Sequence, residues 1–334
     1  MNIDRRLFLG LVAGAMCSKS VPLYASVKKS TENPVADLLI EKYLKIKKFR
    51  LEIGASKPFK VLHCSDTHLS LSNVGDMLRG DSKSIRLFED RHRRFPHCIQ
   101  SLAASISYAG KMKMPFFHTG DLFDFYGEAN LDYVKDAFTG VDWFASVGNH
   151  ETYGHHSSGM NPHTHPQAES VRRKIEMVWA NPILVSSRVI NGINFVAFDN
   201  GGLECWSRDR QFELIKAEFE RGMPVVLLCH IPFYTEELYE LMRRNEIATW
   251  SYYSKDWHVA PGKMEGYLMI DEVVRGSQPR SYSRKLLGFF RRQKNLKAIL
   301  NGHLHFTNLG EWSGVPQLVA GGNYCGDACE VEFC

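Results

Sequence analysis

The sequence predicts an α/β protein built around a largely parallel or mixed sheet, and three observations predict it. Short apolar runs of strand length alternate with longer stretches whose apolar residues recur at helical spacing, the pattern of βαβ units. Five of the apolar runs end in His, Asp or Asn, the position at which open α/β sheets carry ligand sites. The 334 residues are 44% hydrophobic and 23% charged, ordinary globular composition with enough apolar material for a sizeable core.

The chain opens on Arg5-Arg6 and the apolar run Leu7 to Met16, too short to span a membrane, which reads as an export signal over residues 1–25. The stretch Asp4-Arg5-Arg6-Leu7-Phe8-Leu9 resembles a twin-arginine signal, with cleavage after Ala25. Export would place the protein in a bacterial periplasm, with no transmembrane span in the mature chain; an uncleaved signal would leave it membrane-anchored. A lipoprotein reading through Cys17 is weaker, because bulky Met16 precedes it. The net charge of +4 falls to about +2 without the signal, too mild to argue for a nucleic-acid partner other than as substrate. Eight cysteines are present; Cys64 and Cys229 lie within apolar runs as buried thiols, whereas two of Cys325, Cys329 and Cys334 could pair in an oxidising compartment.

Residues 26–56 read as a linker ending in a basic edge strand, Lys45 to Leu51, and residues 57–334 as the working domain. Strands are expected at Phe59 to Cys64, Met114 to Phe117, Trp143 to Val147, Ile183 to Val185, Ile193 to Phe198, Val225 to Cys229, Ala298 to Leu300 and Gln317 to Ala320. Ile99, Leu102, Ala103 and Ile106 set helical spacing for one crossover helix within Leu87 to Met112, and further helices are expected at Val134 to Phe138, Glu169 to Trp179 and Arg210 to Arg221. There is no Walker loop, no glycine-rich dinucleotide turn, no nucleophile elbow and no His-Glu-x-x-His helix.

The polar strand ends carry the chemistry. Asp66-Thr67-His68 follows the first confident strand, and two ligand residues spaced by one on an extended segment reach the same side. Gly120-Asp121-Leu122-Phe123-Asp124 ends the next, where the two oxygens of Asp121 could serve one ion each. Gly148-Asn149-His150-Glu151 offers a neutral carbonyl ligand beside a glycine that lets the backbone come close. His230 and Gly302-His303-Leu304-His305 add three imidazoles at the ends of two more strands. Each motif alone is compatible with an ordinary capped turn or a satisfied core histidine; five in order are not.

The ordered set D-x-H, G-D-x-x-D, G-N-H-E, H, G-H-x-H resembles the calcineurin-like metallophosphoesterase family over about residues 59 to 310, with every motif position filled. The resemblance implies a four-layer αββα sandwich of two mixed sheets flanked by helices. It implies a site in which Asp66, His68 and His305 hold one metal, Asn149, His230 and His303 a second, and Asp121 bridges them. It further implies hydrolysis of phosphoric mono- or diesters by a hydroxide bridging two ions of Mn, Fe or Zn, with His150 as acid for the leaving oxygen or hydrogen-bond donor to the phosphoryl group and Asp124 orienting it. Asp124 and His68 depart from purple acid phosphatases, Phe125-Tyr126 from the Arg-Gly of serine/threonine phosphatases, and a large nucleotidase would need a further C-terminal domain. The alternative is a binding module that keeps the fold without turnover; an unbroken ligand set separates the two. The loop His155 to His165 is a solvated polar loop, a substrate contact or a site for an extra metal. The aromatic-rich insertion of about 232–296, with Phe233, Tyr234, Trp250, Tyr252, Tyr253 and Trp257, is a satellite core or a stacking surface. The basic run from Arg275 to Arg292, with Arg280, Arg284, Lys285, Arg291 and Arg292, is a solvated helix face or a contact for an acidic partner.

Overall fold

A computed structural model describes residues 34–79, 82–152, 168–201, 208–243 and 267–334. The export signal with Cys17, the loop His155 to His165 and the rings Trp250, Tyr252, Tyr253 and Trp257 lie outside the described residues. Among the described residues the strands are β1 (Lys45–Leu51), β2 (Phe59–Cys64), β3 (Phe116–Thr119), β4 (Trp143–Ser146), β5 (Val185–Ile190), β6 (Ile193–Phe198), β7 (Val225–Leu228), β8 (Leu296–Asn301), β9 (Asn308–Trp312), β10 (Val315–Val319) and β11 (Asp327–Phe333). They form two sheets, ordered β1-β11-β2-β3-β4 and β5-β6-β7-β8-β10-β9. In the first, β2, β3 and β4 run parallel and β11 lies antiparallel to β2. In the second, β6, β7, β8 and β10 run parallel between the antiparallel edge strands β5 and β9.

The two-residue period of a strand assigns the layers. Val61 and Phe117 of the first sheet meet Phe195, Val226, Leu228 and Leu300 of the second between the sheets. Their neighbours Leu62, Cys64 and Phe116 face outward beneath Leu102, Val134 and Ile175 of helices Cys98–Met112, Glu128–Ala137 and Ala168–Val178. Helices Arg208–Glu220 and Ser281–Phe290 cover the far side of the second sheet through Ile215, Phe219, Leu286 and Phe290. The result is the expected four-layer αββα sandwich. Strands covered on both faces are mostly apolar, which is why β7 reads as an unbroken run and β6 is interrupted only by Asn194; each fully buried Phe or Leu contributes about 1.5–3 kcal/mol.

Several elements differ from the sequence reading. The crossover helix is two, Ser82–Arg94 and Cys98–Met112, because Pro96 lacks an N–H and disfavours helical geometry at Phe95. Part of the expected linker is helix Pro34–Tyr43, and β5 begins at Val185 rather than Ile183 and runs to Ile190. β9 pairs with β10 across Ser313-Gly314, both with positive φ, a two-residue hairpin turn. β11 is a central strand that its carboxylates disguise: buried Glu330 accepts hydrogen bonds from Lys60 Nζ (2.9 Å) and the Tyr108 hydroxyl (2.7 Å). It carries Cys329 into the core between the sheets, and Cys325, Cys329 and Cys334 are all free thiols. In the insertion, Phe233 is fully buried against the helices, and Tyr234 packs on a satellite core of Leu238, Met242, Leu268 and Leu304. Of the basic run, Arg284 and Lys285 lie on the exposed face of helix Ser281–Phe290, Lys285 paired to Asp209, while Arg291 just beyond the helix pairs with Asp271. No helix among the described residues is long and apolar enough to cross a membrane.

Candidate metal centre

The five expected segments converge at the carboxyl ends of β2, β3, β4, β7 and β8. Asp66, His68, Asp121, His303 and His305 all have positive φ, between 51° and 69°. They are five of the nine non-glycine residues in that region among the described residues. Left-handed backbone costs an L-residue about 1–2 kcal/mol, less for Asp and His, so strain is concentrated where ligand side chains turn inward. The two-residue spacing of Asp66/His68 and His303/His305 therefore works through paired left-handed residues, not through an extended strand. Close approach of the loops also demands glycine: a Cβ on Gly148 would fall 2.2 Å from Asp121 Oδ1, and one on Gly201 would fall 2.3 Å from the Gly148 carbonyl carbon.

Three overlapping groups of ligand atoms result: Asp66, His68 and His305; His68, Asp121 and His150; and Asp121, His230 and His303. In the first, His305 Nε2 lies 3.1 Å from Asp66 Oδ1 and 3.0 Å from His68 Nε2. In the third, His230 Nε2 lies 3.1 Å from both Asp121 Oδ2 and His303 Nδ1. Asp121 joins them through a single oxygen. Its Oδ2 faces His230, His68 (3.8 Å) and His150 (3.9 Å), whereas Oδ1 accepts the backbone N–H of His150 (2.9 Å). Oδ2 thus faces the imidazoles, while Oδ1 is engaged by the main chain. Asn149 opens the short helix Asn149–Thr152, half-buried, directly after Gly148.

Around the ligand atoms lies a set of buried partners. His230 Nδ1 pairs with the Thr119 carbonyl (2.8 Å), which aims Nε2 at Asp121. Asn200 accepts the backbone N–H groups of His230 (2.9 Å) and Ile231 (3.0 Å). Glu151 accepts those of Asp121, Phe123 and Gly148. Asp124 is gripped by Arg91 and accepts His68 Nδ1 at 2.8 Å. His150 Nδ1 instead donates to the Asp124 carbonyl oxygen (2.7 Å), so it is the main chain of Asp124, more than its carboxylate (3.4 Å), that holds this imidazole. Tyr324 donates its N–H to the Asp66 carbonyl (3.2 Å) and sets its ring edge-on to His305 at 5.3 Å. Sequence reasoning missed Arg91, Asn200, Gly201 and Tyr324 and assigned Glu151 no part. Asp199-Asn200-Gly201, following apolar β6, has the same apolar-run-then-polar pattern and was the available signal.

The charges fit cations. Burial pushes the Asp66 carboxyl up, but the imidazoles of His305 and His230 outweigh it and hold it below the usual range. The same balance, with His230 and His150, holds Asp121 well below. Burial lowers His68 to about 4 and His303 to about 3, so both stay neutral and keep a lone pair to donate. His230 is the exception: burial lowers it, yet the Asp121 charge and hydrogen bond lift it to about 9. Asp66 Oδ1 is buried and accepts no hydrogen bond, and two pairs of imidazole nitrogens face each other at about hydrogen-bond distance. Such a mixed N/O donor set suits Mn, Fe or Zn.

Three overlapping His/Asp clusters that could hold metal ions thus lie at the carboxyl ends of strands from two mixed sheets. Residues 59–306 match the calcineurin-like phosphoesterase family, and the chain belongs to it. That family is dinuclear and metal-dependent, which places the chain among phosphoester hydrolases. No curated protein sequence gives a significant match. Similar solved structures include a dimetal phosphatase from Danio rerio, 12% identical over 80% of this chain and 88% of that one, TM-score 0.41. Another is phosphopantetheinyl hydrolase from Mycobacterium tuberculosis, 12% identical over 78% of this chain and 89% of that one, TM-score 0.36.

Proposed function

We propose that the chain hydrolyses phosphoric mono- or diesters with two metal ions. Asp66, His68 and His305 would hold the first, Asn149, His230 and His303 the second, and Asp121 would be shared. The observation that carries this reading is Asp121 Oδ2, which faces His68 of the first set and His230 of the second. Bound there, the cations supply Lewis acidity and bring the pKa of a water towards neutrality. The chain's own part is to hold ionised carboxylates and imidazoles, His68 and His303 kept neutral by burial, in a pocket where charge is poorly screened. His150 presents Nε2 to the same space while the Asp124 carbonyl fixes its Nδ1, the arrangement of a donor to the leaving oxygen or the phosphoryl group. We further infer, from Arg5-Arg6 and the short apolar run behind it, that the protein works outside the cytoplasm.

Turnover of p-nitrophenyl phosphate and of its bis-ester by the manganese-loaded protein tests the reading, and the ratio of the two sorts monoesterase from diesterase. No turnover of either ester, with two ions verified per chain, would establish a non-catalytic module instead. The intact ligand set favours the enzyme. His150→Ala is expected to lower kcat about 10²–10⁴-fold with both metals retained; a variant as fast as the parent removes His150 from the chemistry.

Loading should also release a proton. With its pKa lifted to about 9, His230 is protonated at neutral pH in the metal-free protein, and a cation at Nε2 must displace that proton. Apparent affinity therefore rises with pH up to about 9, roughly tenfold per unit for one proton, and levels off above. Calorimetry at pH 7.5 in buffers of different ionisation enthalpy is expected to show about one proton released for the second cation. Heats independent of buffer would mean that His230 is already neutral.

A further inference from the structure

We propose that Arg91 is a positioning residue for the first cation, acting through Asp124 to set the orientation and tautomer of His68. The inference rests on the reading of Asp66, His68 and His305 as ligands. Arg91 belongs to helix Ser82–Arg94, outside every motif, and only 2% of its surface is exposed. Its Nε donates to Asp124 Oδ2 and its Nη2 to Oδ1, a planar fork on both oxygens. The same Oδ1 accepts His68 Nδ1 at 2.8 Å. The Arg91 guanidinium also lies over the Phe95 ring (5.1 Å), and that ring stacks on His68, centroids 4.5 Å apart and 8° from parallel. His68 is thus held at its Nδ1 edge by Asp124 and across one face by Phe95, and Arg91 touches both holders.

The chemistry follows from burial. Asp124 is fully buried, and the two-point grip of Arg91 fixes which way its Oδ1 faces. As an acceptor it demands N–H at His68 Nδ1, which leaves the Nε2 lone pair pointing at the space shared with His305 Nε2 (3.0 Å) and Asp66 Oδ1 (3.8 Å). Without Arg91 the Asp124 carboxylate loses the fork that fixes its plane, and the Phe95 ring loses the guanidinium lying over it, so both holders of the His68 imidazole are loosened. The Asp124 carboxylate is available for this because His150 is served by the main-chain carbonyl. Lysine supplies the charge but not the fork.

The test compares the parent, Arg91→Met and Arg91→Lys by manganese titration, metal analysis and electron paramagnetic resonance. The parent is expected to take two Mn²⁺ and show an exchange-coupled spectrum. In Arg91→Met the first ion should bind about 10–100-fold more weakly, so that at the manganese level saturating the parent the uncoupled spectrum dominates. Excess Mn²⁺ should return kcat towards the parent value with KM little changed. Arg91→Lys is expected to lie between, and it keeps the test open if the methionine variant does not fold. First-ion affinity and coupling equal to the parent's in either folded variant would overturn the proposal. A parent that takes up no second ion would overturn the ligand reading itself, and this proposal with it.

Discussion

Asp121→Asn is expected to lower kcat about a thousandfold, the factor that corresponds to losing several kcal/mol of electrostatic stabilisation at a shared ligand. The substitution isolates one oxygen. Asparagine is isosteric and, like aspartate, tolerates the left-handed backbone found here, φ 54°. Its carbonyl can keep the Oδ1 role of accepting the His150 N–H. The amide NH₂ then replaces Oδ2, placing N–H donors where His230 Nε2 is 3.1 Å away and His68 Nε2 is 3.8 Å away. A donor binds no cation, and the negative charge that lifts His230 is gone. Metal analysis should find fewer than two ions per chain, and the rise in Tm on adding Mn²⁺ should shrink. A fully loaded Asp121→Asn protein hydrolysing either ester at the parent rate would end the two-metal reading.

The ligands were legible because of where they stand. Most residues of β2, β3, β4, β7 and β8 are apolar and buried, and the chain turns polar and glycine-rich as it leaves the sheet. A His or Asp at such a boundary stands out. Residues that act through others had no such contrast. Arg91 sits among Arg93 and Arg94 on a helix that reads as a solvated basic face, and only the fold reveals that it alone turns inward to Asp124. Asn323 and Tyr324 brace the Asp66 loop from the far end of the chain: Asn323 donates its N–H to the Ser65 carbonyl (2.8 Å) and its side chain accepts the Thr67 hydroxyl (3.0 Å). Nothing in their spacing points there. β11 was hidden because Glu330 and Glu332 break its apolar pattern, although Lys60 and Tyr108 neutralise Glu330 in place.

Glu151 shows how a motif residue can hold a site without touching it, and its removal should give the largest change in stability. It is fully buried, and its carboxylate accepts the N–H groups of Asp121 (2.9 Å), Phe123 (2.9 Å) and Gly148 (2.6 Å), tying the loop after β3 to the loop after β4. Glu151→Ala leaves three buried donors without an acceptor, each costing about 1–3 kcal/mol, so urea unfolding should register a loss of about 4 kcal/mol. Glu151→Gln keeps one oxygen and sets an NH₂ against a backbone N–H, for a loss of about 2 kcal/mol. Two causes compete for the ionisation of the parent residue. Burial and the Asp121 charge push it up to about 8, while the Phe123 and Gly148 N–H groups pull it down. A raised carboxyl pKa means that the folded state holds the proton more tightly. That contribution is complete below the ordinary value of 4.5 and is lost as pH rises through about 8. Glutamine has no proton to lose, so in metal-free protein the cost of Glu151→Gln should shrink between pH 5 and pH 8. A cost that stays flat from pH 5 to pH 8 instead would show that the three N–H donors outweigh burial, and that Glu151 is ionised throughout that range.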